Sequence, residues 1–309
     1  MVLGRLRRQR QAEQDEFDAI IEEAKKKEQS ALAAEKSDWG CNITVPTSVV
    51  NRVFSDNEET LLIPLIERAL CTRDYEDMFD DRAAVCVRKV SPFKGLKRNA
   101  DADSFLHGFE QSHYIAVCKN FIKRNPRATI VEVGCGLSTL WFQLAHKEIS
   151  CIEIDTKDVL NLRNELGFDN DSRVSQIGCD PHDFSWIKEV KRATTRDIVI
   201  VAYIHQNPWP SRLVKELMLL IKEEFTNALL LLNCVGGKAG RNREGFRLYD
   251  LNAKSVFHSW SNHDPKVQVF ETVFPHKKIL EEIKREERRN IKRLYRDGNQ
   301  ILIDLKFAE

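Results

Sequence analysis

An α/β fold with a doubly wound, mostly parallel sheet is what this sequence predicts, on three observations. From Pro126 onward, short β-rich runs alternate with helical stretches, the pattern of successive βαβ units. Two of the runs, 198–204 and 228–235, are almost continuously apolar, as central strands covered on both faces must be. A turn with two glycines, Gly134 and Gly136, stands where the first run passes into its helix. The 309 residues are 42% hydrophobic and 31% charged, which excludes a disordered, collagen-like or disulfide-scaffold chain. The 48 basic and 47 acidic residues leave a net charge of +1, so no overall field draws the molecule to nucleic acid or to an anionic membrane.

Taken in order, residues 5–36 form a strongly charged segment with a short apolar stripe at Phe17, Ile20, Ile21 and Ala24. This predicts a solvated helix over 1–38, with contact to a protein partner or a membrane surface as the alternative. Residues 39–125 form a helical N-terminal segment: the apolar run 60–70, the run 81–90, and a helix from Asp101 to Arg124 ended by Asn125-Pro126. The third region, 126–309, carries the sheet. Its strands are 129–133, 150–154, 173–177, 197–204 and 228–235, with helices at 139–147, 157–166, 184–192 and 211–225. A strand at 267–274, a charged helix at 276–296 and a last strand at 301–307 complete it. That last helix reads as a solvated face of Glu/Lys and Glu/Arg pairs. No basic patch interleaved with aromatics accompanies it, so nucleic acid is not an expected partner.

The eight cysteines are scattered singly, without zinc-ligand spacing, and read as reduced, mostly buried thiols. Met1 is not followed by the apolar stretch of a secretory leader, and no run is long enough to span a membrane. The expected location is cytoplasmic.

The chemistry concentrates at Val131-Glu132-Val133-Gly134-Cys135-Gly136-Leu137-Ser138-Thr139. Glycines at 134 and 136 allow a sharp turn and close approach of a ligand to the backbone, and the free amides of the next helix favour an anionic group. The second strand ends at Asp155, where a carboxylate can accept hydrogen bonds from ribose hydroxyls. Capping of the helix that follows is the lesser alternative for Asp155. A dinucleotide would require a third glycine, at the position held by Thr139. S-adenosylmethionine has no pyrophosphate and is served by the shorter turn.

With these residues in place the chain resembles the class I S-adenosylmethionine-dependent methyltransferases, and among them the leucine carboxyl methyltransferase-like group that includes polyketide O-methyltransferases. The stretches that carry the likeness are ETLLIPLIERAL (59–70) with DDRAAV (80–85), VEVGCGLST (131–139), IEIDTKDVLNLRNELG (152–167) and GCDPHDFSWIKEV (178–190). The resemblance implies a seven-stranded Rossmann-like methyltransferase sheet with N-terminal helical additions. It implies S-adenosyl-L-methionine as cofactor, with Gly134 and Gly136 at its methionine moiety, Asp155 at its ribose, and Asp180 with Pro181 at its adenine. Glu132, inside the glycine motif, is grouped with them. Asp180 before Pro181 also reads as an ordinary turn residue. The implied acceptor is an oxygen of a small molecule or a carboxylate.

The chain departs from that pattern at three places. Glu110-Gln111-Ser112-His113 stands where the group has an arginine-containing segment, Ser138-Thr139-Leu140 replaces Asp-Thr-Arg, and Tyr203 replaces an acidic residue after the fourth strand. Methyl transfer is an in-line displacement whose main requirement is alignment. A hydroxyl or amine acceptor benefits from a base, for which Tyr203 and His205 are best placed, with His113 and His182 behind them. A satisfied structural role is the alternative for each. Trp209 lines a pocket or packs on the next helix, and the basic loop 236–245 touches substrate or is simply a surface loop.

Overall fold

The computed structural model describes residues 43, 46, 52–76, 78–87, 102–144, 148–168, 171–194, 197–203, 209–236, 247–248, 253–274, 281, 283, 285–294 and 300–307. The chain divides into two units, 1–42 and 43–309. The predicted helix at 5–36, His205 and most of the loop 236–245 lie outside the described residues.

Two helices lead into the structure. Helix α1 (Asp56–Asp74) begins with a capping box, Ser55 and Glu58 each accepting the other's backbone amide, and it buries Leu62, Leu65, Ile66, Ala69 and Leu70. A short helix α2 (Arg82–Val87) follows. Helix α3 (Ala102–Arg124) crosses α1 closely at Gly108. A Cβ at Gly108 would lie 3.1 Å from the Cβ of Cys71 and 3.2 Å from the Phe79 ring, so the absence of a side chain there sets the distance between the two helices.

The sheet starts at β1 (Thr129–Val133) and continues through α4 (Leu140–Leu144), β2 (Ser150–Asp155), α5 (Lys157–Glu165), β3 (Val174–Gly178), α6 (Trp186–Ala193), β4 (Asp197–Ala202), α7 (Ser211–Glu224) and β5 (Asn227–Gly236). A two-residue β6 (Arg247–Leu248), α8 (Ala253–Trp260), β7 (Val267–Phe274), α9 (Arg285–Leu294) and β8 (Gln300–Phe307) complete the described elements. The strand order is β3-β2-β1-β4-β5-β8-β7, with β6 pairing on β5. Strands β1 to β5 are mutually parallel, and β8 runs antiparallel to both of its neighbours. This is the doubly wound, mostly parallel α/β sheet the sequence predicts: seven strands in one path, with β6 as a small addition.

Alternation along the strands sorts the core into two layers. Val131, Val133, Ile152, Ile154, Ile198, Ile200 and Leu230 face α6, α7 and α8. Ile130, Cys151, Val199, Val201, Leu229 and Leu231 face α3 and α4. Both faces of β1 are buried along its whole length, which accounts for the unbroken apolar runs. The register also lines up a polar row on the α3 side. Gln176, Glu153 and Glu132 stand side by side, then Val201 and Leu231, then Asp304. Each acid of the row has a partner: Arg163 for Glu153, Tyr203 for Glu132 and His113 for Asp304, as charges in a low-dielectric core require.

Among the described residues no helix is long and apolar enough to cross a membrane, and no group of three or more His, Cys, Asp and Glu is arranged to hold a metal.

Candidate functional site

The strand order reverses between β1 and β4, and in sheets of this kind the crevice outside the carboxyl ends of the strands at that point is where ligands bind. Four segments meet there. The turn 134–139 leaves β1, and the amides of Gly134 and Cys135 both reach the Ile154 carbonyl, at 2.8 and 3.3 Å. Asp155 ends β2 and the loop 179–185 follows β3, joined by the Cys179 amide on the Asp155 carbonyl at 2.9 Å. Tyr203 follows β4, its amide on the Val133 carbonyl at 3.0 Å.

Gly134 has φ +66° and Gly136 φ +46°, both in the left-handed region that costs an L side chain roughly 1 to 2 kcal/mol. A Cβ at Gly134 would meet only the Tyr203 carbonyl oxygen, at 3.9 Å, so backbone conformation rather than crowding requires glycine. Gly134→Ala should therefore lower stability by roughly 1 to 2 kcal/mol, read as a urea midpoint shift at unchanged slope.

The carboxylate of Asp155 accepts the Gly136 amide at 2.9 Å and the Thr156 amide at 2.8 Å, one on each oxygen. It ties the turn to the end of β2, and each oxygen retains a lone pair. Burial raises its pKa, while the two amides and Arg163 act in the opposite direction.

Beneath the turn the carbonyls are gripped by two buried guanidiniums. Arg163 of α5, fully buried, donates Nη1 to the carbonyls of Gly136 (2.9 Å) and Ser138 (3.0 Å), and Nε and Nη2 to the Glu153 carboxylate. Burial works against its charge, but Glu153 and its neighbours hold its pKa above the ordinary value. Arg68 of α1 donates Nη2 to the Leu137 carbonyl at 2.9 Å. Three successive carbonyls of the turn are therefore held by cations.

Of the predicted site residues, Gly134, Gly136 and Asp155 come together at the crevice. Glu132 lies below them, fully buried, accepting the Tyr203 hydroxyl at 2.9 Å, and desolvation raises its pKa. Tyr203 is also buried. Its hydroxyl is 2.8 Å from Ser138 Oγ, and burial with the nearby Glu132 lifts its pKa well above 10. That is the wrong direction for a base near neutral pH, and the contacts make Tyr203 a strut beneath the turn.

Pro181 is buried, its carbonyl accepting Trp186 Nε1 at 3.2 Å. Asp180 is exposed and turns its carboxylate to the amide and ring nitrogen of His182, at 2.9 and 2.8 Å. The His182 amide, then its ring, lower the Asp180 pKa. The His182 ring lies against Trp209, centroids 4.9 Å apart. Trp209 is 1% exposed and packs in the core. His113 is 2.8 Å from Asp304, away from the turn.

The substituted positions have partners of their own. Ser138 Oγ accepts the Leu140 amide at 3.1 Å, and Thr139 donates its hydroxyl to Asp81 at 2.6 Å. On α3, the buried Glu110 accepts the Tyr114 hydroxyl at 3.0 Å and the Asn233 amide at 2.8 Å. The last register pair of β4 and β5 is Ala202 with Leu232, the residue before Asn233, which puts Glu110 near the end of β4. Burial raises the Glu110 pKa to about 8. Sequence reasoning missed Arg68, Asp81 and Arg163, although all three lie inside the stretches that carry the resemblance.

No protein-family model matches the chain, and no curated protein matches it. Among solved structures it is similar to the N-methyltransferase NodS of Bradyrhizobium japonicum in complex with S-adenosyl-l-homocysteine, at 12% identity and TM-score 0.41 over 65% of this chain and 88% of that one. A putative methyltransferase of Thermobifida fusca shows 11% identity and TM-score 0.46 over 80% and 95%. The magnesium protoporphyrin IX methyltransferase of Synechocystis, with bound SAM, shows 6% identity and TM-score 0.44 over 84% and 100%. Likeness at this level concerns the course of the backbone and carries nothing about substrate.

Proposed function

We propose that the protein is an S-adenosylmethionine-dependent methyltransferase acting on an oxygen of a small molecule or on a carboxylate. The observation that supports this most is the join between the Asp155 carboxylate and the Gly136 amide at the point where the strand order reverses. It sets an acceptor for ribose hydroxyls beside the half-buried Gly134, while Thr139, hydrogen-bonded to Asp81, fills the place of a dinucleotide's third glycine. These residues fit a nucleoside with a short zwitterionic tail.

In this reading Asp155 holds the ribose, Gly134 and Gly136 admit the methionine end, and Pro181 with the Asp180 backbone borders the adenine. The cofactor supplies an activated methyl group, and the chain's contribution is alignment and exclusion of water. Tyr203 holds the turn from below. A carboxylate acceptor needs no base, and His205 is the base we assign for a hydroxyl acceptor. The charged N-terminal segment, 1–38, is left for a protein contact.

Calorimetric titration with S-adenosylhomocysteine tests the site. Micromolar binding, about 8 kcal/mol, that weakens at least tenfold in Asp155→Ala is the expected result. Absence of heat at two temperatures, beside a positive control, would overturn the proposal. The buried, committed hydroxyl of Tyr203 favours one rival, a binding protein without catalysis. Methyl transfer to any acceptor, lost in Asp155→Ala, removes that rival.

A further inference from the structure

Helices α1 and α2 are hydrogen-bonded to the glycine turn through Arg68 and through Asp81, which lies between them. Arg68, 4% exposed, donates Nε to Asp81 Oδ2 at 2.9 Å and Nη2 to the Leu137 carbonyl at 2.9 Å. Asp81, also 4% exposed, is the junction of four elements. Its carboxylate accepts Arg68 from α1, the Ala84 amide at the start of α2 (3.0 Å), the Thr139 hydroxyl from the turn (2.6 Å) and Gln143 Nε2 from α4 (3.3 Å). Its own amide donates to Thr72 Oγ1 of α1 at 2.9 Å. The connection spans 69 residues between Arg68 and Leu137 and 58 between Asp81 and Thr139.

A buried ion pair of this kind contributes little by itself, because the desolvation of both charges offsets their attraction. What it does impose is geometry. Neither charge can lose its partners without a large penalty, so the turn cannot rearrange while α1 and α2 stay docked, and they cannot undock while the turn stays formed.

We propose that Arg68 and Asp81 are positioning residues that make docking of the α1–α2 segment and ligand binding at the glycine turn one linked equilibrium. The inference rests on the functional reading given above, for the identity of the ligand only. Linkage is reciprocal: if docking preorganises the turn for the ligand, the ligand must stabilise docking by the same factor.

The test uses the full chain and S-adenosylhomocysteine as probe, with Arg68→Met and the gentler Thr139→Val, which removes one hydroxyl contact and leaves the ion pair in place. In the ligand-free protein, amide exchange at residues 135–139 and at 82–87 should speed up together, by tenfold or more in Arg68→Met and less in Thr139→Val. Affinity for the probe should fall about tenfold in Arg68→Met, which is about 1.4 kcal/mol, and severalfold in Thr139→Val. In wild type the probe should slow exchange at 82–87.

A merely structural role would lower the melting temperature without this reciprocal protection. Wild-type affinity in both variants, or exchange at 82–87 that ignores the probe, overturns the proposal. If wild type binds no probe at all, the functional reading fails, and the ligand-free exchange of the two variants still decides the coupling. Should Arg68→Met not fold, Thr139→Val carries both arms.

Discussion

Replacing Glu110 by glutamine should flatten the dependence of stability on pH. The carboxyl titrates near 4.5 in the unfolded chain and at about 8 in the folded one, where burial dominates over the favourable Tyr114 hydrogen bond and the nearby Arg68 charge. Between those values the native state binds a proton that the unfolded state does not. Stability from this group is therefore fully present below the unfolded pKa and is lost as pH rises through the folded one. Moving the carboxyl from 4.5 to about 8 corresponds to a change on the order of 5 kcal/mol. Glutamine keeps an oxygen for Tyr114 and Asn233 and cannot ionise. Glu132 and Asp155, both raised by burial, act in the same direction and remain in the variant, so the difference between the two proteins isolates Glu110. Urea unfolding at pH 5, 7 and 9 should show wild type losing stability relative to Glu110→Gln at each step. Parallel curves would mean that the carboxyl is not held neutral.

The second large effect concerns Arg163. Its side chain is 0% exposed, and it neutralises Glu153, which is 1% exposed, while donating to the carbonyls of Gly136 and Ser138. Arg163→Met keeps most of the volume but strands a buried carboxylate and two carbonyls. Breaking one side of such a pair costs about 3 to 5 kcal/mol. Adding Glu153→Gln removes the stranded charge, and the double variant should recover more than half of the loss. The two variants compared by urea unfolding at pH 7 form the test. A loss below about 1 kcal/mol in Arg163→Met would show that the cation is not needed where it lies.

The alternation of apolar strands and helices made the sheet legible in the sequence. β1 occupies the predicted residues 129–133, and β2, β3 and β5 differ from expectation by one residue at most at either end. Helix α8 was missed, although Ala253, Val256, Phe257 and Trp260 have helical spacing and pack on the core. Its eight residues follow a glycine-rich stretch that reads as loop. β4 ends at Ala202, and Tyr203, predicted as part of the strand, follows it with its side chain on Glu132 and Ser138.

The partnerships that shape the site were beyond reach for a plainer reason. Arg68 meets Leu137 and Glu110 meets Asn233 across 69 and 123 residues, and nothing local records such a meeting. The motif spacing could place Gly134, Gly136 and Asp155, since strand, turn and strand end follow one another. It could not distinguish a tyrosine aimed at a substrate from one holding up the loop, because both occupy the same position after a strand.

Parallel titrations of the purified protein with S-adenosylhomocysteine and with NADH decide whether the crevice takes S-adenosylmethionine, as proposed, or a dinucleotide. Micromolar binding of S-adenosylhomocysteine and none of NADH is the expected result, since Thr139, anchored to Asp81 at 2.6 Å, closes the position where a pyrophosphate needs glycine. Binding of NADH without binding of S-adenosylhomocysteine would contradict it.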